Sequence, residues 1–189
     1  ATQAVLIGVL NGVFEHTFRS KELAQTLGYS LMSMTRALDQ TEAAGLGKSI
    51  KKGRDRFFTP LEKRPLWEKA APLLTSPVRE TARLLERDMP EKEKILAGES
   101  ALARISALDA PRTNTYAVGR EQWKRLQKKA IPHLTADEPG TCAIQIWRYD
   151  PALFAKDRMA DVFSLYLSLK DEKDERVGIA LGQALKEYL

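Results

Sequence analysis

The segment from Gly47 to Arg56 holds the densest positive charge in the chain and one carboxylate, Asp55. Its cations are Lys48, Lys51, Lys52, Arg54 and Arg56. Clustered ammonium and guanidinium groups attract a polyanion, and contacts to phosphates give affinity without reading a base sequence. A solvated surface loop explains many such runs equally well. Asp55 fits either a charge-assisted hydrogen bond that orients Arg54 or Arg56, or a plain turn.

A second group of polar residues lies just before this segment, on a stretch with helical periodicity. Leu31, Met34 and Leu38 recur at the spacing of a buried helix face, which leaves the opposite face to solvent. The residues on that outer face are Met32, Ser33, Arg36 and Gln40. Arginine pairs bidentately with guanine and glutamine with adenine, so Arg36 and Gln40 are the candidate base readers. Ser30 and Ser33, near the helix start, are candidates for phosphate contacts. The alternative is an ordinary exposed polar face.

The elements around these residues follow a recognisable order. Apolar spacing predicts a first helix over Thr2–Phe14, and Ser20 is expected to cap a second helix that Gly28 ends. The third helix runs from Leu31 towards Gly45. The segment Leu46–Thr59 is expected to form a β-hairpin with a basic tip. This order predicts a winged helix-turn-helix, in which the third helix enters the major groove of DNA and the hairpin is the wing.

The rest of the chain predicts a mixture of helices and strands. Helices are expected over Val78–Arg87 as a connector, Glu91–Leu108, Glu121–Ala130 and Met159–Leu189, with strands at Thr115–Val118 and Cys142–Trp147. A boundary is expected near Asp88–Glu93. The predicted fold class is therefore α+β: a winged helix-turn-helix domain over residues 1–88, followed by a smaller mixed α/β domain over residues 89–189 for dimerisation or partner binding.

Charge and composition limit the classes of function. The chain has 189 residues and a net charge of +5; residues 1–79 carry 12 Lys/Arg against 7 Asp/Glu, whereas residues 80–189 carry 18 of each. The longest apolar stretch, Ala4–Leu10, is too short for a membrane span, and the opening residues show no signal-peptide pattern. A single cysteine excludes an internal disulfide. We therefore expect a cytoplasmic protein with no membrane association.

Catalytic chemistry has little support in the sequence. The two histidines, His16 and His133, have no metal-ligand or nucleophile partner at useful spacing. The segment Gly98–Leu102 lacks the second glycine of a nucleophile elbow, and no phosphate-binding glycine motif occurs. Cys142 alternates with Ile144 and Ile146, which predicts a buried strand thiol. We expect no enzyme, no metal and no cofactor.

Two parts of the chain resemble known regulators. Residues 1–61 resemble the winged-helix domains of MarR-type bacterial regulators. The shared segments are Ser20–Ala24, Thr35–Leu38, Arg54–Arg56 and Phe58–Leu61. The second half is similar to abortive-infection antitoxins of the AbiEi type. The segments that carry this similarity are Ala97–Ala103, Tyr116–Val118, Ile146–Pro151 and Asp161–Leu169.

The resemblance implies a transcriptional repressor that binds double-stranded DNA and regulates its own operon beside a toxin gene, with the toxin as a protein partner. Reading a palindromic operator requires two copies, so we expect a homodimer. The apolar helices near the end of the chain are expected to supply its interface. A different class of function stays open, because winged helices also act as protein-interaction modules without binding DNA.

Overall fold

The computed structural model describes residues 1–14, 16–53, 55–129, 134–135 and 138–189. The chain has an α+β fold, as predicted, and divides into two compact units, Ala1–Leu74 and Thr75–Leu189. The sequence predicted a boundary near Asp88–Glu93, whereas the observed division lies earlier, between Leu74 and Thr75. The second unit was expected to be the smaller of the two, but it is the longer.

The first unit begins with three helices and a short strand between the first two. Helix α1 spans Thr2–Leu10, strand β1 Phe18–Arg19, helix α2 Ser20–Leu27 and helix α3 Leu31–Ala43. Helix α1 ends earlier than the predicted Phe14 because the chain turns at Gly12, where φ is +68°. Gly28 ends α2 in the left-handed conformation with φ of +70°, which glycine adopts without steric cost.

A hairpin and a fourth helix complete the first unit. Strands β2 (Gly47–Lys52) and β3 (Asp55–Pro60) pair antiparallel, β1 adds to the other side of β3, and helix α4 follows over Lys63–Ala70. The hairpin confirms the prediction. Each helix and β3 contribute side chains to one core, whose fully buried members include Ile7, Leu10, Leu23, Met34, Leu38, Phe58 and Leu66.

The second unit is built on a four-stranded sheet. Its strands are β4 (Val78–Leu85), β5 (Ile95–Leu96), β6 (Thr115–Val118) and β7 (Thr141–Trp147), in the order β4-β7-β6-β5. Strand β6 runs parallel to β7, whereas the other two pairs are antiparallel. The predicted strands at Thr115–Val118 and Cys142–Trp147 are confirmed.

The described residues of this unit form four α-helices: α5 (Gly98–Leu102), α6 (Arg120–Leu126), α7 (Val162–Leu169) and α8 (Glu175–Tyr188). On one face of the sheet, Cys142, Ile144 and Ile146 form a buried cluster with Leu126 of α6. Helix α5 packs on the opposite face and contacts α7 and α8. The helix predicted over Met159–Leu189 is observed as two helices, α7 and α8, which are separated by the charged residues 170–174.

Two predicted helices are wrong. Val78–Arg87 was expected to be a connecting helix, but Val78–Leu85 is strand β4, because it pairs along its length with β7, far away in the sequence. Tertiary pairing overrides local helix propensity at such a site. Glu91–Leu108 was expected to be one helix, yet only Gly98–Leu102 is α-helical, since Ile95–Leu96 pairs with β6 and Gly98 turns the chain at a φ of +54°.

Candidate nucleic-acid interface

Helix α3 presents an exposed face close to its N-terminal end. Met34, Ala37, Leu38 and Thr41 are buried, whereas Met32 is 65% exposed and Arg36 is exposed. Within the described part of the chain, no carboxylate lies within ion-pair distance of Arg36. Its guanidinium is therefore available to a ligand. Ser33 is half-buried on the same face.

Leu31 departs from its predicted position. The periodicity placed it in the core with Met34 and Leu38, but it is 55% exposed. It is the first residue of α3, so no preceding turn of helix covers it. With Met32, it forms an apolar pair at the start of the exposed face.

The two serines of the predicted site form the cap of this helix. Ser30 is the N-cap, and its hydroxyl accepts a hydrogen bond from the backbone N–H of Ser33 at 3.1 Å. The two hydroxyls lie 2.9 Å apart. Such a cap satisfies one of the free N–H groups of the first helical turn. Ser30 thus has a structural task, while its exposed hydroxyl stays beside the helix end where anions are favoured.

Gln40 lies further along α3, and its side chain is engaged. The Gln40 amide oxygen accepts a hydrogen bond from the hydroxyl of Thr2 in α1. Bidentate pairing with adenine requires both the oxygen and the nitrogen of this amide. The structure therefore does not place Gln40 beside Arg36 as a free base reader.

Arg56 is the centre of a polar network between the hairpin and α3. Its guanidinium donates to Ser49 Oγ at 2.8 Å and to Glu42 Oε2 at 2.7 Å, and it also contacts the carboxylate of Asp39. The Arg56 side chain is only 19% exposed. Arg56 as a phosphate contact stays a prediction, and three groups of the same unit already accept hydrogen bonds from its guanidinium.

The network perturbs the groups that form it. The hydrogen bond to Asp39 raises the pKa of Arg56, and the bond to Glu42 adds to the effect. The backbone N–H of Ser49 donates to Glu42 Oε1 at 2.9 Å. That bond, followed by the contact with Arg56, lowers the pKa of Glu42. The carboxylate of Glu42 is thus held ionised, and its charge is neutralised in part by the Arg56 guanidinium.

The lysines of the hairpin tip lie on opposite faces. Lys51 pairs with Arg56 and Lys52 with Asp55 in the strand register, and side chains alternate between faces along a strand. Lys51 therefore shares the face of Arg56, which is directed at α3. Lys52 lies on the other face, with its Nζ 5.9 Å from the centre of the Phe57 ring. Both lysines are exposed, and Arg54 lies outside the described residues.

Asp55 has a partner that the sequence did not suggest. It was expected either to orient Arg54 or Arg56 or to be a plain turn residue; its carboxylate lies 3.5 Å from the guanidinium of Arg19. Arg19 also pairs with Glu22 at 2.8 Å and lies over the Phe57 ring at 5.8 Å. Arg19 thus connects the start of α2 to the hairpin. Its pairing with Glu22 was visible in the sequence as an i, i+3 spacing of opposite charges.

Other predicted features are not part of this surface. Cys142 is fully buried, as predicted, and burial raises the pKa of its thiol to about 11. His133 lies outside the described residues, and among those described no group of three or more His, Cys, Asp or Glu side chains could hold a metal ion. None of the helices in the described ranges is long and apolar enough to cross a bilayer.

The chain was compared with known proteins by sequence and by structure. No family model, curated protein or solved structure matches it. The arrangement of α3 and the hairpin is therefore the basis on which a function can be argued.

Proposed function

We propose that this protein is a sequence-specific regulator of transcription that binds double-stranded DNA through the first unit, folded as a winged helix-turn-helix. Helix α3 is the recognition helix in this proposal, and the hairpin of β2 and β3 is the wing. The observation that carries it is the exposed face of α3, on which Arg36 is unpaired within the described residues, beside a hairpin that presents Lys51. The unit carries 11 Lys/Arg against 7 Asp/Glu, which is four of the chain's five net positive charges.

Each exposed group has a distinct task in the complex. Arg36 donates to guanine in the major groove, and Met32 contacts thymine methyl groups. Ser33 donates its hydroxyl to a phosphate next to the helix start. Lys51 and Lys52 contact phosphates on either side of the hairpin. Arg56 holds the hairpin against α3, so that the two elements meet the duplex in a fixed relation.

Repression follows from occupancy of an operator, and a homodimer suits a palindromic site. The sequence predicted that the apolar helices near the end of the chain form the dimer interface. The apolar faces of these helices, α7 and α8, are instead buried within their own unit, through residues such as Phe163, Leu165 and Leu181. Ile179 is the large apolar side chain on these helices that stays mostly exposed, at 62%. A toxin as partner remains part of the proposal on the resemblance alone.

A specific observation favours a second candidate, a protein-interaction module. Leu31 and Met32 are an adjacent pair of exposed apolar side chains at the start of α3, and Ile50, on the hairpin face opposite to Arg56, is also 58% exposed. Large exposed apolar side chains on one unit are typical of surfaces that bind other proteins. In that case the basic hairpin meets an acidic protein surface.

DNA binding is tested by selecting bound duplexes from a random pool and then titrating the selected duplex and a scrambled one. We expect the selected site to bind at least about 10³-fold more tightly at physiological salt. Arg36→Ala should cost about 1–3 kcal/mol per contact on the selected site and little on the scrambled one. Arg64→Ala, at an exposed arginine of α4, is the matched control.

Three outcomes count against the proposal. No binding to any duplex at low salt favours the interaction module. Equal affinity for selected and scrambled duplexes refutes sequence specificity. An equal loss for Arg36→Ala on both duplexes places Arg36 on phosphate instead of a base edge.

A further inference from the structure

The second unit contains a basic cleft at one end of its sheet. Its volume is about 640 Å³, and it lies between β4, α6 and the end of β7. Four cationic side chains line it, with one carboxylate, Glu80. The cations are Arg79, Arg120, Lys124 and Arg148. The charge of this unit is balanced overall, so the cleft is a local concentration of positive charge.

Three of these cations have no acidic partner. In the described residues, no carboxylate lies within ion-pair distance of Arg79, Arg120 or Arg148, whereas Lys124 pairs with Glu121 at 2.7 Å. Other arginines of the same unit are paired, for example Arg125 with Glu93 and Arg158 with Glu91. Like charges that share a single lining carboxylate repel one another, and a bound anion relieves that repulsion.

Two features of the fold, a β-bulge and a pair of parallel strand ends, bring the three arginines to the cleft. The pairing of β4 with β7 shifts register between Val78 and Glu80, so Arg79 lies in a bulge, a feature that redirects a side chain. Val118 of β6 pairs with Ile146 of β7 in parallel, so Arg120 and Arg148 each follow a paired residue by two positions. They therefore lie beyond the carboxyl ends of two adjacent parallel strands, where α/β sheets commonly bind ligands.

The size and lining of the cleft indicate the class of ligand. Its volume falls in the range of about 300–1,000 Å³ that is typical of sites for small organic molecules, and inorganic phosphate fills a small part of it. Trp123, half-buried against the core, adds an aromatic surface to the lining. Arginine binds phosphate through two parallel hydrogen bonds, and tryptophan stacks on planar bases.

We propose that this cleft binds a nucleoside phosphate, with Arg79, Arg120 and Arg148 on the phosphates and Trp123 against the base. All residues of this site belong to the second unit, whereas the DNA-binding surface is proposed for the first. A small ligand bound here is a candidate effector of the protein.

The proposal is tested by calorimetric titration of the full chain with three probes at low ionic strength: ADP, adenosine and inorganic pyrophosphate. We expect ADP to bind at least ten-fold more tightly than either of the others, because only ADP offers both phosphates and a base. Arg120→Ala and Arg148→Ala should each weaken ADP binding at least ten-fold. Arg112→Ala, an exposed arginine of the same unit that does not line the cleft, should leave it unchanged.

Trp123→Leu separates the base from the phosphates: ADP should bind more weakly, whereas pyrophosphate should bind as before. If circular dichroism shows that this variant is unfolded, the two arginine variants decide the matter. The proposal is overturned if ADP does not bind at millimolar concentration, if pyrophosphate binds as tightly as ADP, or if Arg120→Ala and Arg148→Ala leave ADP binding unchanged. It is also overturned if a single-stranded dT12 oligonucleotide binds through the same arginines far more tightly than ADP, since the cleft is then a nucleic-acid groove.

Discussion

Replacing Arg56 by alanine separates a structural role from a phosphate contact. Arg56 is mostly buried, and its donors reach Ser49, Asp39 and Glu42. Because Asp39 and Glu42 are themselves 58% and 39% exposed, solvent screens both ion pairs, and each is worth no more than a surface pair. Together with the hydrogen bond to Ser49, the loss comes to about 1 kcal/mol. For a unit of this size that lowers the midpoint of thermal unfolding by about 4–8 °C.

Lys51→Ala is the matched control, because Lys51 lies opposite Arg56 in the hairpin register and is exposed. Scanning calorimetry should show a lowered unfolding temperature for Arg56→Ala and an unchanged one for Lys51→Ala. In DNA titrations at several salt concentrations, we expect Lys51→Ala to change the salt dependence of binding and Arg56→Ala to leave it unchanged. Lys51→Ala should reduce the slope of log affinity against log salt by about 0.9 for each phosphate that the variant no longer neutralises, whereas Arg56→Ala should leave the slope unchanged.

The pH dependence adds a further check on the same network. The pKa of Glu42 is lowered in the folded protein, so its contribution to stability is present above the pKa of the unfolded chain and is lost as the pH falls through the folded value. The difference in unfolding temperature between the wild type and Arg56→Ala should therefore narrow in acid. The reasoning is refuted if Arg56→Ala reduces the salt slope as Lys51→Ala does and leaves the unfolding temperature unchanged at neutral pH.

Three further predictions concern Gly47, Gly182 and Cys142. Gly47→Ala should destabilise the first unit by about 1–3 kcal/mol, because an added Cβ lies 2.4 Å from Phe58 Cζ and 2.6 Å from a backbone oxygen. Gly182→Ala in α8 adds a Cβ with no atom within 4 Å and should stabilise the second unit by up to about 1 kcal/mol. Urea titrations measure both free energies of unfolding, and equal changes for Gly47→Ala and Gly182→Ala would contradict these two predictions. Cys142 should not react with a disulfide reagent at pH 8 until the protein is denatured, since burial raises the pKa of its thiol to about 11. A native reaction as fast as that of the unfolded chain would show that the thiol is accessible.

Local patterns in the sequence were sufficient for the elements whose contacts are close in the chain. The spacing of Met34 and Leu38 gave the buried face of α3, and the run around Gly53 gave the hairpin, because helix faces and tight turns depend on neighbouring residues. The alternation through Cys142, Ile144 and Ile146 likewise gave strand β7 and its buried face.

Local sequence patterns did not predict the pairing of strands that lie far apart in the chain. Strand β4 consists of residues that also suit a helix, and only its partner strand, far along the chain, decides its conformation. Strand β1 has two residues, too few to show a period. The role of Arg56 was missed for a related reason: its charge is visible in the sequence, whereas its distance to Asp39 and Glu42 depends on the fold. The spacing of those two acids on one face of α3 was the available sign.

The topology of the second sheet constrains when each unit can form during synthesis. The elements of the first unit have all been made once residue 74 has been translated, and its strands pair with one another. Strand β4 comes next, yet its partner β7 begins at Thr141, so β4 stays unpaired while the intervening residues are translated. During translation, the residues of the first unit are therefore followed by strand β4 without its partner strand. Arg79, Glu80 and Thr81 are exposed along that strand, and such charged and polar side chains keep a waiting edge from joining strands of other chains.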